Sequence, residues 1–432
     1  MTATVRLFTL DARRSVALWF VPALAVLVAW GTVTTMRPDG APAQWARSSV
    51  QFGLMCVVAA FIMCGVGAWV AGRGRRRQTE DLLATMPRPA SLLDVTVLAS
   101  TVIWGLAACL LAGAIVFAIV DREATWGGLE HEPIVVGLLT VVAGTAIGYA
   151  GGMVVPSRLA SPLVAVGFAS VVLLIGTRSS AIAYLSPMSL DRRGSSPYDV
   201  FYRASEVPAG QMALWLTGVA GCACAATALS RRSAWPAWSA FVVALVVAAT
   251  GAVLAMQAFV HPPWERIYAG QPLAEYEPVC VERSIPVCFH PAYAAELEGN
   301  ADPIGRLVEP LVGVPGGPVR AEQLPERTGL RADGTLEVMP GEVAVARAIF
   351  DLVHEPDANL NPAQRAIAFW LMERTDENPS DWQLLFGVGQ PDATVAAAVE
   401  RFSALGPDAQ RAWLMANYQD LRAGRIEIEE LP

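Results

Sequence analysis

Residues 134–155 read IVVGLLTVVAGTAIGYAGGMVV, with no Asp, Glu, His, Lys or Arg. As a helix rising 1.5 Å per residue, the stretch is about 33 Å long. That is enough to cross the roughly 30 Å hydrocarbon core of a bilayer, where a helix satisfies its own backbone hydrogen bonds. Gly144, Gly148 and Gly152 recur every four residues and therefore share one helix face. Such a face lets a second helix approach closely. Tight packing is the plain reading of this pattern, and a flexible helix along a transport path is the sharper one.

Six other stretches share this texture: Val16–Met36, Val50–Val70, Val95–Val120, Leu159–Gly176, Met212–Ser230 and Trp235–Val260. Leu159–Gly176 is the shortest, and Met212–Ser230 is rich in small residues. The expected fold is an all-α membrane bundle of about seven spans over residues 16–260. A small α+β, mostly helical soluble domain then occupies residues 261–432. Composition divides the chain at the same place. Only 16% of its residues are charged, against about 25% in a soluble chain. Residues 1–258 hold 18 Arg against 12 Asp and Glu, whereas residues 259–432 hold 13 Arg against 27. Two regions of opposite charge indicate two environments. The chain contains no Lys; Arg-only basicity with abundant Ala is the composition of a GC-rich bacterial genome. The scattered basic residues and the acidic C-terminal region argue against a nucleic-acid partner.

Arginine in short loops sets the orientation. Arg6, Arg13 and Arg14 precede the first span, Arg73, Arg75, Arg76, Arg77 and Arg88 follow the second, and Arg231 and Arg232 follow the sixth. These loops are assigned to the cytoplasm, which places the C-terminal domain outside. The longer loop 177–209 carries Arg178, Arg192, Arg193 and Arg203, balanced in part by acids. Five cysteines fall inside expected spans, where they serve as small apolar residues. Cys280 and Cys288 lie in PVCVERSIPVCFHP. Either they close a strand or hairpin as a disulfide, which an oxidising compartment favours, or they are two buried thiols.

The N-terminal residues 1–15 read either as a short amphipathic helix lying on the inner membrane surface or as a disordered tail. Residues 73–94, RGRRRQTEDLLATMPRPASLLD, place a basic cluster ahead of a short cytoplasmic helix capped by Thr79 and ended by Pro87 and Pro89. In loop 177–209, SSAIAYLSPMSL is apolar but too short to span; it reads as an external re-entrant or interfacial hairpin, or as a surface loop. In the soluble domain, short β-prone pieces surround Val279–Cys288, Val319 and Leu336–Met339. Helices are expected over Pro303–Val312, Glu342–His354, Pro362–Glu373, Asp392–Leu405 and Pro407–Ala423. The caps Asn361 and Gly424 support the third and last of these.

Catalytic chemistry finds no foothold in the sequence. The expected membrane cores contain no ionisable Asp, Glu, His or Arg, and Asp94 sits at an inner edge, which counts against ion-coupled transport. Without Lys there is no Walker-type phosphate loop. His131, His261, His290 and His354 lack zinc spacing; a metal site from His261, His290 and an acid is the weakest of the readings. No Gly-x-Ser-x-Gly elbow occurs. No catalytic or metal residue is assigned.

The N-terminal amphipathic stretch, the basic helix between paired spans and the external hairpin before the last of six spans resemble the permease subunits of type-2 ATP-binding-cassette exporters. RRRQTEDLLATMPRPASLLDVTVLAS carries the closest local likeness. The resemblance implies that Glu80, Asp81, Leu82 and Leu83 contact a separate ATPase, which holds ATP and Mg, and that an external gate maps to Ala181–Leu190. It further implies a homo- or heterodimer with another permease, in contact with membrane lipid. The seventh span and the C-terminal domain depart from the six-span plan; the latter looks similar to domains attached to permease-like proteins of actinobacteria. The competing reading is a non-transporting membrane anchor or sensor whose external domain binds a ligand.

Overall fold

The computed structural model describes the chain apart from residues 1–2, 38–42, 74–89, 156, 158, 179, 190–199, 202–208, 232–234, 261–275, 326–327, 341–343, 355–359 and 376–390. The described residues form two compact units.

The first unit is a multi-pass helical membrane bundle. Its helices are α1 (Ala3–Arg14), α2 (Ala17–Met36), α3 (Trp45–Ala71), α4 (Ala90–Glu123), α5 (His131–Val154), α6 (Ala160–Gly176), α7 (Ala209–Arg231) and α8 (Trp235–Val260). Six of these are long and apolar enough to cross a membrane, and α6, with 17 residues, is a shorter apolar helix. Every expected span coincides with a helix. Several helices run past the apolar stretch, as at Trp45–Ala71, while the starts at Ala17 and Ala160 and the end at Val154 fall one residue inside it.

Large apolar side chains remain uncovered on the bundle surface, among them Leu110, Val166, Leu174, Val243 and Val246. A water-soluble protein does not tolerate so continuous a surface, and lipid is the solvent it matches. Trp19, Trp235 and Trp238, close to the starts of their helices, are also exposed, as tryptophans at a membrane–water interface are. Inside, the hydroxyls of Thr32, Thr140 and Thr145 donate to the carbonyls of Val28, Val136 and Val141 one turn back at 2.7–2.8 Å. This satisfies buried polar groups without a partner helix.

The second unit has its own core. It spans residues 270–432 and also takes in Val200 and Phe201 from the connection before α7. A four-stranded sheet in the order β1 (Val279–Glu282), β2 (Pro286–Phe289), β3 (Arg320–Glu322), β4 (Thr335–Glu337) pairs antiparallel at β1–β2 and parallel thereafter. The helices are α9 (Leu297–Val308), α10 (Ala344–Val353), α11 (Pro362–Met372), α12 (Ala393–Ala404) and α13 (Pro407–Arg422). Their apolar faces and the sheet enclose one continuous cluster that includes Phe289, Ile304, Leu336, Ile349, Phe402 and Tyr418.

Local signals start and stop these elements. Asn361 and Gln364 form a reciprocal capping box with Pro362 in the first turn of α11. Asp392 accepts from the Val395 amide to cap α12. Gly424, at φ 70°, lets the chain turn away from α13. One expected boundary moves: α9 begins at Leu297 rather than at Pro303, and a 3₁₀ turn, Glu309–Leu311, extends it. Pro303 lies inside the helix, at its seventh residue, where it removes one backbone N–H from the ladder. Behind the sheet, buried Glu337 accepts from the amides of Thr328 and Gly329 through Oε2, fixing the turn that leads into β4.

Candidate functional site

The sequence places its site residues at the two ends of the bundle and along a seam between them. The seam is the contact of α3 with α5. Gly137 faces Gly53, Gly144 faces Ala60, Gly148 faces Cys64 and Gly152 faces Ala68. All four pairs share one sequence offset, so the two helices run parallel. A Cβ on Gly144 would lie 2.9 Å from the Ala60 carbonyl oxygen, and one on Gly148 would fall on the carbonyl of Cys64. Backbone packs against backbone, which only small residues permit. The sequence showed which face of α5 is small; it missed the partner α3, where Gly53 and Gly67 face α5 and Gly65 faces α6.

At the end where α3 finishes and α4 starts, three polar ties join helices. Tyr149 of α5 donates to Asp94 of α4 at 3.0 Å, both buried. Ser100 of α4 donates to Asp11 of α1 at 2.6 Å, and Trp104 Nε1 donates to the Ala12 carbonyl at 2.8 Å. Helix α1 is thus fastened to α4, and α4 to α5, around the ends of the segment 74–89. Glu80, Asp81, Leu82 and Leu83 lie outside the described residues.

At the other end, Ala181–Leu185 forms a 3₁₀ turn with Ala183 and Tyr184 buried. Ser186 Oγ donates to the Val172 carbonyl at 2.8 Å, and Trp215 Nε1 of α7 donates to the Leu185 carbonyl at 3.1 Å. Met188 packs on a cluster that includes Val50, Leu54, Val136, Met212 and Leu216, which come from the N-terminal halves of α3, α5 and α7. The hairpin segment 181–190 is described through Ser189 and is held against the bundle rather than standing free.

Helix α6 connects the two ends. Ser161 in its first turn donates to the Gly65 carbonyl at 2.7 Å, and Val164 meets Gly151, both near the C-termini of α3 and α5. Gly176, its last residue, meets Ser186 and Met188 at the opposite end. Helices α7 and α8 then pack antiparallel, with Trp215 on Gly251, Gly218 on Ala248 and Gly221 on Ala244.

In the second unit, Cys280 and Cys288 form a disulfide between directly opposed positions of β1 and β2. This settles the sequence alternatives in favour of the closed hairpin. Closing so short a loop stabilises by roughly 2–3 kcal/mol in the chain-entropy account. Cys56, Cys64, Cys109, Cys222 and Cys224 are free thiols.

His290 is buried between the rings of Tyr276 and Phe201, at centroid distances of 4.6 and 5.1 Å. Its Nδ1 accepts from the Ala292 amide, capping a 3₁₀ turn. Burial lowers its pKa to about 4, so the ring stays neutral near pH 7. These contacts give it a place in the core, while His261 lies outside the described residues. Among the described residues no three His, Cys, Asp or Glu side chains gather as a metal site. No protein-family model, curated protein or solved structure matches the chain.

Proposed function

We propose that the chain is a permease-like membrane subunit of an ATP-binding-cassette exporter, driven by a separate ATPase. The observation that carries this reading is the fastening of α1 to α4 and of α4 to α5 around the ends of segment 74–89. A push on that segment from a partner would reach the Asp94–Tyr149 pair and then α5, whose seam with α3 forms the rigid centre of the bundle. ATP and Mg belong to the partner, and this chain supplies the lever.

Sidedness follows the arginine pattern, with the N-terminus cytoplasmic. The two ends joined by α6 favour counting it as a crossing, which makes seven and carries the C-terminal unit to the extracytoplasmic side. The Cys280–Cys288 disulfide agrees with an oxidising compartment there. The hairpin 181–190 would then be an external gate, and the external unit would receive or gate the substrate.

Reversing charge with Glu80→Arg and Asp81→Arg is expected to abolish co-purification of the ATPase while the bundle keeps its melting temperature. Undiminished ATPase association would remove these residues from the contact. A reporter fused after Pro432 is expected to be active only as an extracytoplasmic enzyme, and cytoplasmic reporter activity would sink the seven-crossing arrangement. The sensor reading gains from one observation, a cationic groove in the second unit.

A further inference from the structure

The second unit contains a groove of about 530 Å³, within the size range of small-molecule sites. One wall is made by the turns around Gly316–Gly317 and Asp333–Gly334, and the other by the end of α13 with the residues that follow it. Gly316 and Gly334 adopt φ 78° and 83°, so both turns depend on glycine and leave main chain uncovered by side chains. Into this space the fold brings Arg331, Arg422 and Arg425, together with Gln419. The surrounding sequence is strongly acidic, so three arginines in one groove stand against the trend of the domain.

Their partners differ. Arg425 gives both Nε and Nη2 to Asp420 and is neutralised. Arg331 donates Nε to the hydroxyl of Thr328 at 3.1 Å, and Arg422 donates Nη2 to the carbonyl of Leu330 at 3.4 Å. Both acceptors are uncharged. Arg422 Nε is shielded from solvent and has no hydrogen-bond partner among the described residues. The facing acid, Asp333, is engaged in its own turn, where Oδ1 accepts from the Thr335 amide at 2.9 Å. That bond, with the Arg331 charge, holds its carboxyl below the usual range. The α13 terminus is itself pinned. Gln364 Nε2 donates to the carbonyls of Leu421 and Arg422, and Asn361 Nδ2 to those of Gly424 and Ile426, all at 3.0–3.1 Å. The capping box of α11 therefore sets where Arg422 sits.

We infer that this groove binds the phosphate group of a small phosphorylated solute. A guanidinium fork matches oxyanions and is hard to replace by any other side chain. Two guanidinium groups from opposite walls, each keeping N–H donors beyond the one given to Thr328 or Leu330, suit a group with three oxygens to share. The remaining volume, lined by Gln419 and main-chain groups, accommodates the polar body of a phosphate monoester. This inference stands independently of the transport reading.

The test uses the full chain in a phosphate-free detergent, with binding followed by calorimetry and by thermal shift. The probes are inorganic phosphate, glycerol phosphate, acetate and a short-chain phosphatidic acid. Saturable binding of phosphate and glycerol phosphate is expected, with acetate at least tenfold weaker. Arg331→Gln and Arg422→Gln should each reduce phosphate affinity by about tenfold or more, the cost of losing a charged hydrogen bond. Arg425→Gln, whose charge is already spent on Asp420, should change it less than threefold. Arg331→Lys and Arg422→Lys, which keep charge and fold but lose the fork, should fall between wild type and Gln. Tighter binding of phosphatidic acid than of glycerol phosphate would overturn the soluble solute in favour of a lipid headgroup. No saturable phosphate binding, or equal affinity in wild type and all three Gln variants, would overturn the site.

Discussion

Gly148→Val is expected to prevent the bundle from assembling. The new side chain would occupy the place of the Cys64 carbonyl. Overpacking a side-chain core costs about 1–3 kcal/mol because neighbouring rotamers give way. Here the obstacle is main chain inside a helix, which has no rotamer to change, so α3 and α5 must separate along their length. Loss of the monodisperse peak in detergent and a fall of ten degrees or more in melting temperature are expected. Gly167→Val on α6 is the control, since a Cβ there meets open space. If the two variants melt alike, the seam does not hold the bundle.

Phe402→Ala is expected to be the most damaging single change in the second unit. Its ring is 1% exposed and makes edge-on contacts with Trp370 and Trp413 at 4.9 and 5.4 Å. Truncating a buried Phe to Ala costs about 3–5 kcal/mol, and the edge-on pairs add weight at the upper end. A domain is typically stable by about 5–15 kcal/mol, so a third or more would go. Urea unfolding of the full chain, followed by tryptophan fluorescence, reads this directly because both contacting rings report. Met415→Ala on exposed α13 should stay within about 0.5 kcal/mol. A Phe402→Ala loss below 1 kcal/mol would contradict the packing described.

Much of the bundle was legible because hydrocarbon imposes one rule on every helix, and residues 134–155 obey it without exception. Helices α11, α12 and α13 were legible through their own punctuation, Asn361-Pro362, Asp392 and Gly424. Pro303 misled because a proline usually opens a helix, whereas α9 carries it at its seventh residue. The parallel pairing of β2 with β3 and of β3 with β4 left no local mark, since the paired residues lie 34 and 15 positions apart. The glycine face of α5 was legible and its partner was not, because choosing α3 over another small-residue helix needs three dimensions. The groove was wholly hidden. Arg331 and Arg422 are 91 positions apart in sequence, and only a capping box and two glycine turns make them neighbours.

The parallel course of α3 and α5 also has a consequence in time. Parallel neighbours cannot be joined by a short turn, so α4 must be made between them. When Ala71 completes α3, Val154 of α5 is still 83 residues from synthesis. At typical elongation rates of about 5–20 residues per second, the delay is roughly 4–17 seconds. Throughout it, the backbone-lined face of α3 is in contact with lipid or with an insertion factor. The stretch that makes the finished bundle tightest thus has to wait for its match, and the order of manufacture bears on whether the seam closes.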